Sequence, residues 1–199
     1  MPSVEPHVTL LMSGGLDSSL LAVRGSRSGM IRNALFVNYR QAAQKQERLA
    51  MLRICQQADI HPYVVDAYHP GSAALSIGTG EAGPRVVPGR NLWLVSMAIS
   101  EALTTGSTTV WIGCNKDDAE HYPDCRTHFI AALDRLAWTA YGIHVEAPLL
   151  DQTKRQVVEA WREEAKGVAT PWSCYEPTSA GWPCGTCNAC ALRAAAEAT

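Results

Sequence analysis

The chain has 199 residues, 47% of them hydrophobic, enough for one substantial core with a short appendage. Lys and Arg number 17 against 19 Asp and Glu, so the net charge is -2 and no basic surface is available to hold a polyanion, which excludes nucleic acid as an expected main partner. The first residues show no basic stretch followed by an apolar run, no segment is apolar for the length of a membrane span, and seven cysteines, four of them (Cys174, Cys184, Cys187, Cys190) crowded into 17 residues, suit metal binding in a reducing cytoplasm better than disulfides.

Residues 8–12 form a short apolar run that ends in Ser13-Gly14-Gly15, and residues 18–23 read as a helix start, so the order is strand, glycine turn, helix. Residues 34–39 repeat the strand signal. Over 41–58, Leu49, Leu52, Cys55 and Ala58 recur at three-residue spacing and predict a helix that buries them. Residues 63–67 predict a third strand, and 69–89, rich in Gly, Pro, Ser and Ala, a loop. Beyond it, residues 91–104 predict a mostly apolar helix, 108–114 a strand, 127–141 a helix burying Ile130, Leu133 and either Leu136 or Ala137, and 144–149 a fifth strand. Thr153-Lys154-Arg155-Gln156 matches a capping box that opens a helix running to about Lys166. This alternation predicts the α/β class, with an open, mainly parallel five-stranded sheet covered by helices on both faces. The expected division is a nucleotide-binding domain over 1–168 and a small metal-binding segment over 169–199.

In such a sheet, ligands sit beyond the carboxyl ends of the strands, where helix N-termini present free N–H groups. Ser13-Gly14-Gly15-Leu16-Asp17-Ser18-Ser19 falls at that place, with Met12 leading into it. The glycines allow close approach to phosphate oxygens, and three serine hydroxyls add donors; an ordinary glycine turn is the alternative. There is no Walker lysine. The stretch resembles the Ser-Gly-Gly-x-Asp-Ser signature of the PP-loop superfamily, whose members split ATP into AMP and pyrophosphate to adenylate a substrate. The resemblance makes Met12, Ser13, Gly14, Gly15, Leu16, Asp17, Ser18 and Ser19 the expected ATP contacts.

Cys184, Cys187 and Cys190 stand at three-residue intervals with Cys174 ten residues upstream, a set that closes a tetrahedral structural zinc site; an iron–sulfur cluster is the chemical competitor. Cys55 and Cys114 are expected to pack, whereas Cys125 lies in a polar loop where either packing or function fits.

Four stretches together resemble the QueC family of 7-cyano-7-deazaguanine synthases: Ser13 to Ser19, Val87-Pro88-Gly89-Arg90-Asn91, Gly113 with Tyr122-Pro123-Asp124-Cys125-Arg126, and the cysteine tail ending Ala191-Leu192-Arg193. Pro148-Leu149 followed by Lys154 matches a family pattern that puts a lysine near the phosphates. The resemblance implies ATP-dependent conversion of a 7-deazaguanine carboxylic acid and ammonia into the nitrile through adenylated acid and amide intermediates. It implies Mg2+ with the ATP, Asp17 and Lys154 as catalytic groups, and Arg90, Asp118, Tyr122, Asp124 and Arg126 as substrate contacts. Turn or helix-cap roles remain open for Asp118 and Asp124, a structural ion pair for Arg90, and a solvated surface position for Lys154. A homodimer is the candidate assembly. Rival readings are a relative that stops at the amide or adenylates another acid, a thiolating enzyme acting on RNA, and a non-enzymatic zinc module. One departure bears on substrate: related proteins continue the second strand with Tyr-Gly-Gln and a nearby His, whereas here Tyr39 precedes Arg40, Gln41, Ala42 and Ala43.

Overall fold

The computed structural model describes residues 7–69 and 87–197. Most of the predicted 69–89 loop therefore lies outside the described residues. Five strands, β1 (Val8–Leu11), β2 (Ile31–Asn38), β3 (His61–Asp66), β4 (Thr109–Ile112) and β5 (His144–Glu146), form one sheet in the order β3-β2-β1-β4-β5, parallel at every pairing. Among the described residues seven helices accompany them: α1 (Leu16–Arg27), α2 (Gln44–Ala58), α3 (Arg90–Thr105), α4 (Asp118–His121), α5 (Thr127–Tyr141), α6 (Lys154–Glu164) and α7 (Asn188–Glu197), with a 3-10 turn at Pro123–Cys125.

Alternation along β2 shows why both faces are covered. Ala34 and Phe36 point into a core shared with Leu20 and Leu21 of α1, Met51 and Ile54 of α2, and Val157 of α6. Leu35 and Val37 point the other way, toward Val95 and Ile99 of α3 and Ile130 and Leu133 of α5. Of the two residues offered for the third position on α5, Ala137 is buried and Leu136 is exposed. The fifth strand stops at Glu146, and α6 stops at Glu164.

The buried face of α2 differs from the predicted one. Leu49 is 45% exposed, while Ala50, Met51, Ile54 and Cys55 are buried. Three-residue steps lag the helical turn by about 60° each, so Leu49 and Ala58 lie on opposite sides of the helix. The stripe that follows the 3.6-residue period is the one that packs.

The chain winds outward from β1 through β2 to β3, then crosses back to β4 and β5. The crevice at this reversal opens beyond the carboxyl ends of β1 and β4. Leu11 pairs with Ile112, so the residues after both strands emerge side by side. Gly113 is required there, because a Cβ on it would lie 2.9 Å from the Ser18 nitrogen.

The turn after β2 holds Arg40 at φ 67°. Arg40 thus takes the left-handed backbone despite a Cβ that disfavours it by roughly 1–2 kcal/mol. Because glycine also adds unfolded-state entropy, Arg40→Gly is expected to stabilise by about 0.5–1 kcal/mol, raising Tm by about 1–4 °C. Calorimetry showing an unchanged or lower Tm would contradict this.

Candidate active site

At the reversal point, Gly14 takes φ 77° and Gly15 is the N-cap of α1 without any side-chain cap. The first N–H groups of α1 therefore face the crevice and favour an anion. Ser13 Oγ accepts from the Gly15 N–H at 3.2 Å and lies 3.4 Å from Ser18 Oγ, which places two hydroxyls at the mouth of the helix. Met12, Ser13, Gly15, Leu16, Asp17 and Ser18 line a cleft with about 240 Å³ of water-accessible space. Gly14 and Ser19 do not line it. Gly14 packs on α2, where a Cβ would come within 2.4 Å of the Glu47 carbonyl oxygen, and the buried Ser19 hydroxyl has no hydrogen-bond partner among the described residues.

The capping box forms as expected: Thr153 accepts from the Gln156 N–H while the Gln156 side chain accepts from the Thr153 N–H. Lys154 then begins α6, where the helix dipole opposes a cation. The opposing carboxylates offset this: Lys154 Nζ donates to Asp17 Oδ2, and its backbone N–H donates to Asp117 Oδ2 at 2.8 Å. Burial acts to lower the ammonium's pKa, but Asp17 and Asp118 outweigh it, and the group stays charged.

Asn115, fully buried at the end of β4, donates through Nδ2 to Asp17 Oδ1 at 2.9 Å and to Asp118 Oδ2 at 2.7 Å. It ties the β1 and β4 loops together. Burial and the Asp17 charge push the Asp118 carboxyl up to about 6, against Lys154 and the Asn115 N–H. Because the folded value exceeds the unfolded one, this contribution is full below about pH 4 and is lost as pH rises through about 6. Asp118→Asn is expected to shrink the fall in Tm between pH 5 and 7.5; calorimetry giving the wild-type slope would contradict the assignment.

Of the other predicted contacts, Arg90 and Tyr122 line the cleft, as does Asp118. Burial acts to lower the Arg90 pKa, but Tyr39, Tyr175 and Asp124 outweigh it and raise it, so the guanidinium remains protonated. Asp124 and Arg126 do not line the cleft. Asp124 Oδ2 accepts from the Asn91 N–H at 3.1 Å in the first turn of α3, the helix-cap alternative, and Arg126 Nε donates to the Ala119 carbonyl at 3.2 Å. Cys125 is buried with its sulfur 3.5 Å from that of Cys114, and both line the cleft floor.

Sequence reasoning missed Tyr39, Gln41, Glu47, Asn115, Trp172, Ser173, Tyr175 and Arg193. All but Asn115 line the cleft. The signal for Gln41 was the family string itself, and for Arg193 the end of the cysteine tail. Burial pushes the Glu47 carboxyl up to about 7, while the Gln41 amide and Arg90 act to lower it.

The tail builds the remaining wall. Trp172 N–H donates to the Gly14 carbonyl at 2.9 Å, and Arg193 Nη1 donates to the Pro171 carbonyl at 2.9 Å. The sulfurs of Cys174, Cys184, Cys187 and Cys190 all lie within 4.8 Å of one another. Cys184 N–H points at Cys174 Sγ (3.2 Å) and Cys187 N–H at Cys184 Sγ (3.3 Å), donors that suit thiolates. Burial acts to raise the Cys184 thiol, yet the N–H groups of Thr186 and Cys187 bring it down to about 6. Four convergent sulfurs with such donors fit a metal ion.

A family model described as Queuosine biosynthesis protein QueC matches residues 7–198. A 7-cyano-7-deazaguanine synthase from Anaeromyxobacter sp. is 34% identical over 209 residues, covering 94% of this chain and 89% of that protein. Another from Novosphingobium aromaticivorans is 32% identical over 208 residues, covering 96% and 89%. Among solved structures, NMN synthetase from Francisella tularensis gives a TM-score of 0.57 at 19% identity over 93% of this chain and 71% of that one. A tRNA thiolase from Methanococcus maripaludis, solved with its 4Fe-4S cluster, gives 0.57 at 16% identity over 98% and 64%. These two likenesses report a shared fold.

Proposed function

The chain belongs to the QueC family, and from that premise we propose that its cleft converts 7-carboxy-7-deazaguanine, ammonia and ATP into 7-cyano-7-deazaguanine. The observation that carries the reading is the uncapped N-terminus of α1 opening on the same cleft as Lys154 and Asp17. The α1 N–H groups with Ser13 and Ser18 cradle the departing pyrophosphate, and Lys154, oriented by Asp17, stabilises charge that builds on the α-phosphate. In the first activation the carboxylate attacks the α-phosphorus, pyrophosphate leaves, and ammonia displaces AMP to give the amide and release a proton. In the second, the amide oxygen attacks a second ATP, pyrophosphate leaves, and elimination of AMP with loss of the N–H protons gives the nitrile. Both carboxylate oxygens therefore depart in AMP.

Mg2+ would enter with ATP, neutralise its phosphates and meet the carboxylates of Asp17 and Asp118. We assign the cysteine site to zinc, supported by sulfurs close enough to share one ion; in a 4Fe-4S cluster each thiolate meets a different iron and the sulfurs stand farther apart. Residues 169–199 are then a segment organised by that metal, which suits a tail too short for a core of its own. No helix among the described residues is long and apolar enough to cross a membrane, and ATP with four reduced thiols supports a cytoplasmic setting. The test is incubation with ATP, Mg2+, ammonium and the acid, followed by phosphorus NMR and mass spectrometry. AMP, pyrophosphate and the nitrile are expected; ADP with orthophosphate, or the amide as the end product, would overturn the reading.

A further inference from the structure

The cleft continues into a recess of about 50 Å³ between the end of β2 and the first turns of α2 and α3. Gln41, Glu47 and Arg90 line both spaces, and the small side chains Ala42 and Ala43 form part of the recess wall. The volume suits the edge of a ring rather than a whole base.

The hydrogen bonds within the recess set its polarity. Gln41 Oε1 accepts from the Tyr39 N–H at 2.9 Å, so its amide nitrogen faces the other way and donates to Glu47 Oε2 at 2.9 Å. In its ionised form Glu47 accepts from that amide and keeps further lone pairs on both oxygens. The Arg90 guanidinium, which supplies only donors, lies close enough to act on it electrostatically. An acceptor pair beside a donor fork is the complement of an edge with two adjacent N–H groups next to a carbonyl.

The other carboxylates that line the cleft, Asp17 and Asp118, lie outside the recess. Asp17 is held by Lys154 and Asn115, and Asp118 by Asn115, beside the phosphate loop. Resting on the function proposed above, we infer that Glu47, anchored by Gln41 and flanked by Arg90, reads the N–H edge of the deazaguanine ring and sets the enzyme's preference for a 2-amino substrate. The ring's carboxylate, on the far side of the base from that edge, then points toward Lys154.

The experiment compares wild type with Glu47→Gln on two acids, 7-carboxy-7-deazaguanine and the analogue lacking the 2-amino group, by ammonia-dependent AMP release. Wild type should prefer the 2-amino acid by about 10²-fold or more in kcat/KM, since a polar site rejects an analogue that leaves it unpaired. Glu47→Gln should reduce that ratio to within about 10-fold, mainly through KM, with KM for ATP unchanged. Gln41→Leu, which keeps the carboxylate but removes its anchor, should give an intermediate ratio and guards against a folding defect in the first variant. Turnover of the 2-amino acid with the wild-type ratio in both variants, or an equal loss on the two acids, overturns the assignment alone. No turnover of either acid by wild type overturns the proposed function and this assignment with it.

Discussion

Replacing Lys154 by methionine is expected to slow AMP formation by about 10²–10³-fold, the effect of removing one preorganised charge from a developing oxyanion. The side chain begins α6, where the capping box fixes the backbone and Asp17 fixes the ammonium. Asp17 offsets the unfavourable helix dipole and keeps the ammonium charged inside the cleft, where the proposed mechanism uses it toward phosphate. Lys154→Arg should recover part of the rate, because charge returns without the same point geometry. Methionine also leaves Asp17 without its cation, so Tm should fall as well; the arginine variant separates the two effects. A methionine variant with wild-type kcat would remove Lys154 from the chemistry.

The second large effect is expected at Cys187→Ala. Losing one thiolate opens the four-sulfur set, and metal affinity in such sites is coupled to folding. The consequence should reach the cleft, because Trp172 and Ser173, just before the first cysteine, and Arg193, just after the last, line it. Zinc content, measured by elemental analysis, should fall together with kcat/KM, the latter by about 10²-fold, as expected when positioning residues shift by about an ångström. Retention of full activity by metal-free protein would show that the cleft wall stands without the ion.

Much of this arrangement is legible in the amino-acid sequence. Strand order within the sheet is not, and the missed residues Asn115, Glu47 and Gln41 follow from that. Asn115 bridges Asp17 and Asp118 only because β4 lies beside β1, bringing Asn115 to a residue 98 positions away. Glu47 and Gln41 enter the cleft because β2 flanks β1 on its other side. The phosphate loop and the cysteine set are readable because each is local, with spacing that carries its chemistry. Asp124 and Arg126 stand out as part of a selective string, but in the fold they bond to the first turn of α3 and to the α4 loop, with Asp124 also acting on the Arg90 charge. The α2 stripe misleads because a three-residue spacing resembles the helical period over one turn and departs from it over several.

The most direct test follows the oxygen atoms. With 7-carboxy-7-deazaguanine labelled by heavy oxygen at both carboxylate positions, two adenylations predict that each label is recovered in the phosphate of AMP, with a nitrile product free of label. Recovery of label in water or orthophosphate, with AMP unlabelled, would contradict adenylation of the acid at this cleft.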